Sequence, residues 1–280
     1  MGGVVSNSLS TMLEVVAKTD PGKVRSQNED AVFANPHLGL AILADGMGGY
    51  SAGEVASAMA VTLLSAEIEE GLALKEAWEL EEDNGEPYAN ALLRERIATA
   101  NSAIFHAAQS QPQYAGMGTT LLLTLFADNG VTVAHIGDSR LYRLRDESFT
   151  QITRDHSLLQ EQIDCGLLTP EQARFSRNKN LVTRALGVDA EVEPEIHCYA
   201  VAPGDIFLLC SDGLNDMVED EDIGRTLRNL STNLELAANQ LIQMANDNGG
   251  RDNVSVILVK IQRPFPAYRG WWPRVLGWFK

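Results

Sequence analysis

The chain has 280 residues, 45% of them hydrophobic and 21% charged, with a formal net charge of −16. That is an ordinary globular balance, with ample material for the core of one large domain, or one domain with a tail. A surface this acidic repels phosphate backbones, so no nucleic-acid partner is expected.

Residues 1–12 read as a flexible leader of small and polar residues. Strands are predicted at Leu13–Thr19 and Leu38–Ala44, as short apolar or alternating runs. A helix follows over Gly53–Glu69, where Ala56, Ala60, Leu63 and Leu64 recur at helical spacing. Glu67–Glu86 is acidic and reads as a solvated loop. A second helix spans Tyr88–Ala108. Three more strands are predicted at Thr120–Phe126, Val131–Ile136 and Arg140–Arg145, the first two joined through Asp128-Asn129-Gly130, a hairpin signal. Further helices are predicted at Ser157–Asp164, Pro170–Phe175 and Leu234–Asn246, and further strands at Ile206–Cys210 and Val254–Ile261. Strands that follow one another through short turns argue for antiparallel sheets covered by a few helices rather than a doubly wound parallel fold.

From Arg263 the composition changes. The tail 263–280 holds Trp271, Trp272 and Trp278 beside basic residues. That mixture suits a membrane surface, a partner's groove, or packing on the domain itself. The cysteines, Cys165, Cys198 and Cys210, form no C-x-x-C pair and read as free thiols in a reducing compartment. With no basic-then-apolar opening segment and no bilayer-length apolar run, a cytoplasmic location is expected.

The chemistry lies in where the aspartates fall. Leu38–Ala44 runs apolar into Asp45-Gly46, Val131–Ile136 into Gly137-Asp138, and Ile206–Cys210 into Ser211-Asp212-Gly213, while Asp252-Asn253 precedes Val254–Ile261. A carboxylate at a buried strand end is costly unless it is paired or binds a cation. Single Asp-Gly pairs are ordinary turns, but four such islands after similar apolar runs point to one oxygen-rich site for Mg²⁺ or Mn²⁺. Zinc is disfavoured, because the histidines and cysteines show no ligand spacing. Upstream, Gly22–Asp30 carries Arg25, whose guanidinium fork suits phosphate. There is no P-loop, no G-x-S-x-G, no cysteine followed by an arginine loop, and Gly46–Ser51 misses the dinucleotide fingerprint in its last glycine.

In order, Arg25…Asn28-Glu29-Asp30, Ala44-Asp45-Gly46-Met47-Gly48-Gly49, Gly118-Thr119-Thr120, His135-Ile136-Gly137-Asp138-Ser139-Arg140, Asp155-His156-Ser157, Thr183-Arg184-Ala185-Leu186-Gly187, Ser211-Asp212-Gly213 and Gly250-Arg251-Asp252-Asn253 resemble the PPM family of metal-dependent protein serine/threonine phosphatases. The form Asp-Gly-Met-Gly-Gly resembles its bacterial branch. The resemblance implies an α+β fold, a four-layer α-β-β-α sandwich of two antiparallel sheets flanked by helices. It makes 13–262 the catalytic domain, with a flap at about 155–185. It implies two Mn²⁺ or Mg²⁺ ions, and a third bound more weakly. Asp45 would bridge two ions with the Gly46 carbonyl as a further ligand, Asp212 and Asp252 would hold the second, and Asp138 the third. Arg25 would clamp the substrate phosphate, Glu29 and Asp30 would order metal-bound waters, and Asn253 would support the site. Met47 stands where eukaryotic members carry histidine, and Tyr50 where many bacterial members do. A metal-bound water is therefore the expected proton donor, and Tyr50 is expected to shape the substrate mouth.

The implied activity is hydrolysis of phosphoserine and phosphothreonine in proteins, opposing a kinase in signalling, by a monomer. Two alternatives are a phosphatase specialised for an anti-anti-sigma regulator and an inactive relative serving as a binding or sensing module. The Arg25…Asp30 element weighs against the first, and the intact aspartates against the second. His135, Arg140 and Arg184 read as structural, through local hydrogen bonds and ion pairs, and His156 as capping the flap helix or touching substrate, with structure favoured.

Overall fold

The computed structural model describes residues 9–49, 52–169, 172 and 181–267. One sheet carries strands β1 (Leu13–Asp20), β7 (Arg140–Arg145), β8 (Ser148–Gln151), β10 (Ile206–Cys210) and β11 (Val254–Ile261), in the order β1-β11-β10-β7-β8. The other carries β2 (Asp30–Asn35), β3 (Leu40–Met47), β5 (Leu121–Ala127), β6 (Gly130–Ile136) and β9 (Glu195–Ala200) in that spatial order, with the short β4 (Gly118–Thr119) on β3. The named pairs are antiparallel.

Both faces of the central strands are buried, which is why they read as continuous apolar runs. Along β10 and β11, Phe207, Leu209, Ile257 and Val259 turn toward the opposite sheet, meeting Leu43, Leu122 and Phe126. Phe126 and Phe207 meet edge to face at 5.4 Å between ring centroids. The alternate residues Ile206, Leu208, Val256 and Leu258 face helices α5 (Asp220–Asn229) and α6 (Leu234–Asp247). On the far side, α1 (Ala52–Leu74) and α2 (Tyr88–Ser110) cover the second sheet through Ala56, Ala60, Leu64, Leu93 and Ile97. The result is the four-layer α-β-β-α sandwich expected. Two shorter α-helices are α3 (Leu158–Asp164) and α4 (Asp212–Asn215).

Several boundaries differ from the sequence reading. The segment expected to be a loop from Glu67 is helical to Leu74, because Leu64, Ile68 and Gly71 continue a buried stripe against Leu92. The β5–β6 hairpin turns on Asp128 and Asn129, both at positive φ (47° and 56°), rather than on Asn129-Gly130. Both turn side chains then accept main-chain N–H groups, Asn129 Oδ1 from Phe265 at 2.7 Å and Asp128 Oδ1 from Ala267 at 2.8 Å. Phe265 is buried in the inter-sheet core, so the first residues after Arg263 pack on the domain. At the other end, Leu9–Thr11 form a 3-10 turn, and Leu9 and Met12 pack on that same core. Residues 1–8, Tyr50, Pro170–Phe175 apart from Gln172, and the tail tryptophans lie outside the described residues. Among the described residues, no helix is long and apolar enough to cross a membrane.

Candidate metal centre

The aspartates collect at the ends of the central strands, at the seam between the two sheets. Register places Asp30 of β2 directly opposite Asp45 of β3. The main chain of Asp45 is held from both sides. Its N–H donates to Thr120 Oγ1 at 3.0 Å, and its carbonyl accepts from Thr120 N and Thr119 Oγ1, each at 2.9 Å. The Gly46 N–H donates to the Glu29 carbonyl at 3.1 Å, and the Ser57 hydroxyl of α1 donates to that carbonyl at 2.6 Å. Asp138 follows β6 and is buried.

The other sheet brings Asp212, the first residue of α4, and Asp252, just before β11. Gly213 makes their approach possible, since a Cβ there would fall 1.9 Å from the Asn253 carbonyl oxygen. The Ser211 hydroxyl reaches across the seam and donates to Asp30 Oδ2 at 2.8 Å. Arg25 Nη2 donates to Asp252 Oδ2 at 2.7 Å, and the exposed guanidinium keeps further donors. Asn253 is buried and spends its side chain on the 21–29 loop. Its Oδ1 accepts from Glu29 N at 2.8 Å, and its Nδ2 donates to the carbonyls of Pro21 (3.0 Å) and Gln27 (2.9 Å).

The electrostatics follow from this crowding. Burial, then the charges of Asp30, Asp212, Asp138 and Asp252, pushes the Asp45 carboxyl well above the usual range. Asp212 is raised in the same way by burial and by Asp138, Asp216 and Asp252. Burial is the first cause for Asp30 and Asp138 as well, each raised to about 6. Burial also raises Glu29, against the pull of Arg25. The side chains offer carboxylate oxygens, and Asp30 Oδ1 is buried without a hydrogen-bond partner in the protein. Hard oxygen donors, mutual repulsion and an orphaned buried oxygen together fit a divalent cation of the Mg²⁺ or Mn²⁺ kind.

Sequence reasoning missed Asp216, whose charge bears on both Asp138 and Asp212. Its signal was present, since it stands four residues after Asp212 at a helix start. Arg140 is structural as read, forking onto Asp155 with Nη2 2.7 Å from Oδ2. The cap of α3 is Ser157 rather than His156, its Oγ accepting from Gln160 N at 3.2 Å.

Fold and site together define a class: a sandwich of two antiparallel sheets with a cluster of buried carboxylates at their seam, of the chemistry that suits a divalent ion. The chain belongs to the protein phosphatase 2C family, whose pattern it matches over residues 23–248. It is 40% identical over 253 residues to the serine/threonine protein phosphatase PstP of Mycobacterium tuberculosis, covering 90% of this chain and 46% of that one. The chain thus spans less than half of that relative's length. It is 41% identical over 249 residues to a serine/threonine phosphatase, stp, of Listeria welshimeri, with 87% and 94% covered. The crystal structure of the M. tuberculosis PstP superposes with a TM-score of 0.79 at 39% identity, covering 90% and 99%. A structure of the PstP catalytic domain in complex with 2 manganese ions gives a TM-score of 0.77 at 40% identity, covering 90% and 99%.

Proposed function

We propose that this chain is a protein serine/threonine phosphatase that hydrolyses phosphoserine and phosphothreonine with Mn²⁺ or Mg²⁺ at the seam site. The observation that carries the reading is the convergence of Asp45, Asp138, Asp212 and Asp252, with Arg25 at the rim, in a fold shared with serine/threonine phosphatases. In hydrolysis a water oxygen forms a bond to phosphorus, the bond from phosphorus to the serine or threonine oxygen breaks, and that oxygen leaves with a proton. Bound divalent ions of this type neutralise phosphoryl oxygens and bring water to ionisation near neutral pH.

The chain's own residues divide the remaining work. Asp45 and the Gly46 carbonyl hold one ion. Asp45, Asp212 and Asp252 hold the second, and Asp138 serves a third, weaker position. Glu29 and Asp30 accept hydrogen bonds from ordered water. Arg25 exchanges part of its hold on Asp252 for the substrate's phosphoryl oxygens, for which its planar fork is suited. Asn253 keeps the 21–29 loop, and so Arg25 and Glu29, against the aspartates. The substrates are phosphorylated proteins, those of a cognate serine/threonine kinase among them. The chain acts as a cytoplasmic monomer, and the tryptophan tail contacts a membrane surface or a protein.

The test is phosphate release from a phosphothreonine peptide, with Mn²⁺ and with excess EDTA, for wild type and Asp212→Asn. Metal-dependent release that falls by at least about a hundredfold in the variant supports the reading. Release that persists in EDTA, or no release with any metal, overturns it.

A further inference from the structure

His135 on β6 and His156 in the loop after β8 stack with ring centroids 4.7 Å apart, and Glu195 of β9 lies beside both. The rings are 2% and 6% exposed. The three residues offer ligand atoms within 4.8 Å of one another, as a metal site would. Their hydrogen bonds argue against one. The Gly137 N–H donates to His156 Nδ1 at 3.2 Å, so Nδ1 carries the lone pair and Nε2 carries the proton, donated to Glu195 Oε1 at 3.0 Å. His135 Nε2 donates to the Arg154 carbonyl at 3.0 Å. A neutral imidazole has one ring proton, so neither Nε2 has a lone pair for a cation, and of the two rings only His135 Nδ1 keeps one unengaged, short of the two imidazole ligands such a site would need.

What the cluster holds instead is Gly137. The main-chain N–H of His156 donates to the Gly137 carbonyl at 2.9 Å, while its ring accepts from the Gly137 N–H. One residue thus grips both polar groups of one glycine. That glycine sits at φ +105°, and a Cβ would fall 2.7 Å from the Thr120 side chain, so the turn has little room to relax. The next residue is Asp138. His156 also accepts, at its carbonyl, the Thr183 N–H at 2.8 Å, which ties the far end of the 155–185 segment to the same point.

We propose that His156 is a positioning residue for Asp138: its double hydrogen bond to Gly137, with Glu195 fixing the imidazole tautomer, aims the Asp138 carboxylate at the metal centre. This rests on the reading that Asp138 serves a divalent ion there. Partners one layer removed from a metal ligand govern affinity by about 10- to 100-fold. His156 belongs with such partners, although it acts through a neighbouring main chain rather than on the carboxylate itself.

The experiment is an Mn²⁺ titration by calorimetry, alongside Tm and p-nitrophenyl phosphate kinetics, for wild type, His156→Ala and His156→Asn. The alanine variant is expected to weaken the weakest class of Mn²⁺ site by about tenfold, leaving the tight class and Tm nearly unchanged. Asparagine, whose Oδ1 lies where Nδ1 does, should restore that affinity to within about threefold of wild type. In an Asp138→Asn background, His156→Ala should change the isotherm no further. Should the alanine variant fail to fold, His156→Gln, which carries its amide out to the Nε2 position, makes the same comparison against asparagine. An unchanged isotherm in His156→Ala overturns the proposal. So does equal weakening of every class with a fall in Tm and no rescue by asparagine. If wild type neither binds Mn²⁺ nor releases phosphate, the proposed function itself fails. If wild type is active and the substitution is silent, only the positioning role fails.

Discussion

Asp30, Asp45, Asp138 and Asp212 resist ionisation because burial disfavours their charge and their neighbours are aspartates. The sign of the consequence follows directly. A carboxyl raised in the folded state binds protons more tightly there than in the unfolded chain, so its contribution falls as pH rises. For Asp30 and Asp138 the loss runs from the unfolded carboxylate value, about 4, through the folded value of about 6. At neutral pH the metal-free site is therefore a liability to stability. Asp212→Asn removes one of the crowded charges. In EDTA at pH 7 it should raise Tm by a few degrees, on the order of 1 kcal/mol, while abolishing metal-dependent phosphate release. Thermal denaturation from pH 4 to 8 checks this, and the variant should show a shallower fall with pH than wild type. A lower Tm in the variant at pH 7 would count against the crowding account.

Among the elements, the legible ones were those whose side chains are set by burial on both faces or by a long helical stripe. Val254–Ile261 and Ile206–Cys210 were read to the residue, because a strand packed on both sides admits almost no polar interruption. Asp30–Asn35 was hidden, since its first residue belongs to the site and the rest resembles the loop before it. Glu195–Ala200 sits at a sheet edge with much of its surface open, and Asp220–Asn229 buries only Ile223, Gly224 and Leu227 under a charged exterior. The strand leaves no strong periodic trace, and the helix, though its buried residues recur at helical spacing, sets only two large apolar side chains in a short charged segment. The candidate site was legible for the same reason as the central strands, because its aspartates interrupt apolar runs. Asp216 was marked only by its spacing from Asp212, and the pairing of His135 with His156 depends on a contact between separate segments. The turn at Asp128-Asn129 shows how local chemistry and tertiary contact combine. Asn129→Ala should cost about 1–2 kcal/mol, through the strained left-handed backbone and the lost bond to Phe265 N. Asn129→Gly should recover the backbone part but not the hydrogen bond. Urea denaturation of both variants separates the two contributions, and equal stability of alanine and glycine would remove the backbone argument.

On the scale of the whole molecule, the site is a joint. One sheet supplies Asp30, Asp45 and Asp138, and the other supplies Asp212 and Asp252. Hydrogen bonds tie the two at this end, among them Ser211 to Asp30 and the Glu29 N–H to Asn253. An ion bound by carboxylates of both sheets links the two halves and stabilises only the folded chain, by about 2.7 kcal/mol at a hundred times its Kd. A net charge of −16 raises an alternative, that any cation stabilises the protein by screening its self-repulsion. The two effects separate by dose and by residue. Millimolar Mn²⁺ should raise Tm by several degrees where the same ionic strength of NaCl does little, and EDTA should reverse it. Asp45→Asn should remove most of the Mn²⁺ shift while leaving the response to molar NaCl intact. A shift that survives in Asp45→Asn, or one that NaCl reproduces at equal ionic strength, would place the cation on the surface rather than at the joint.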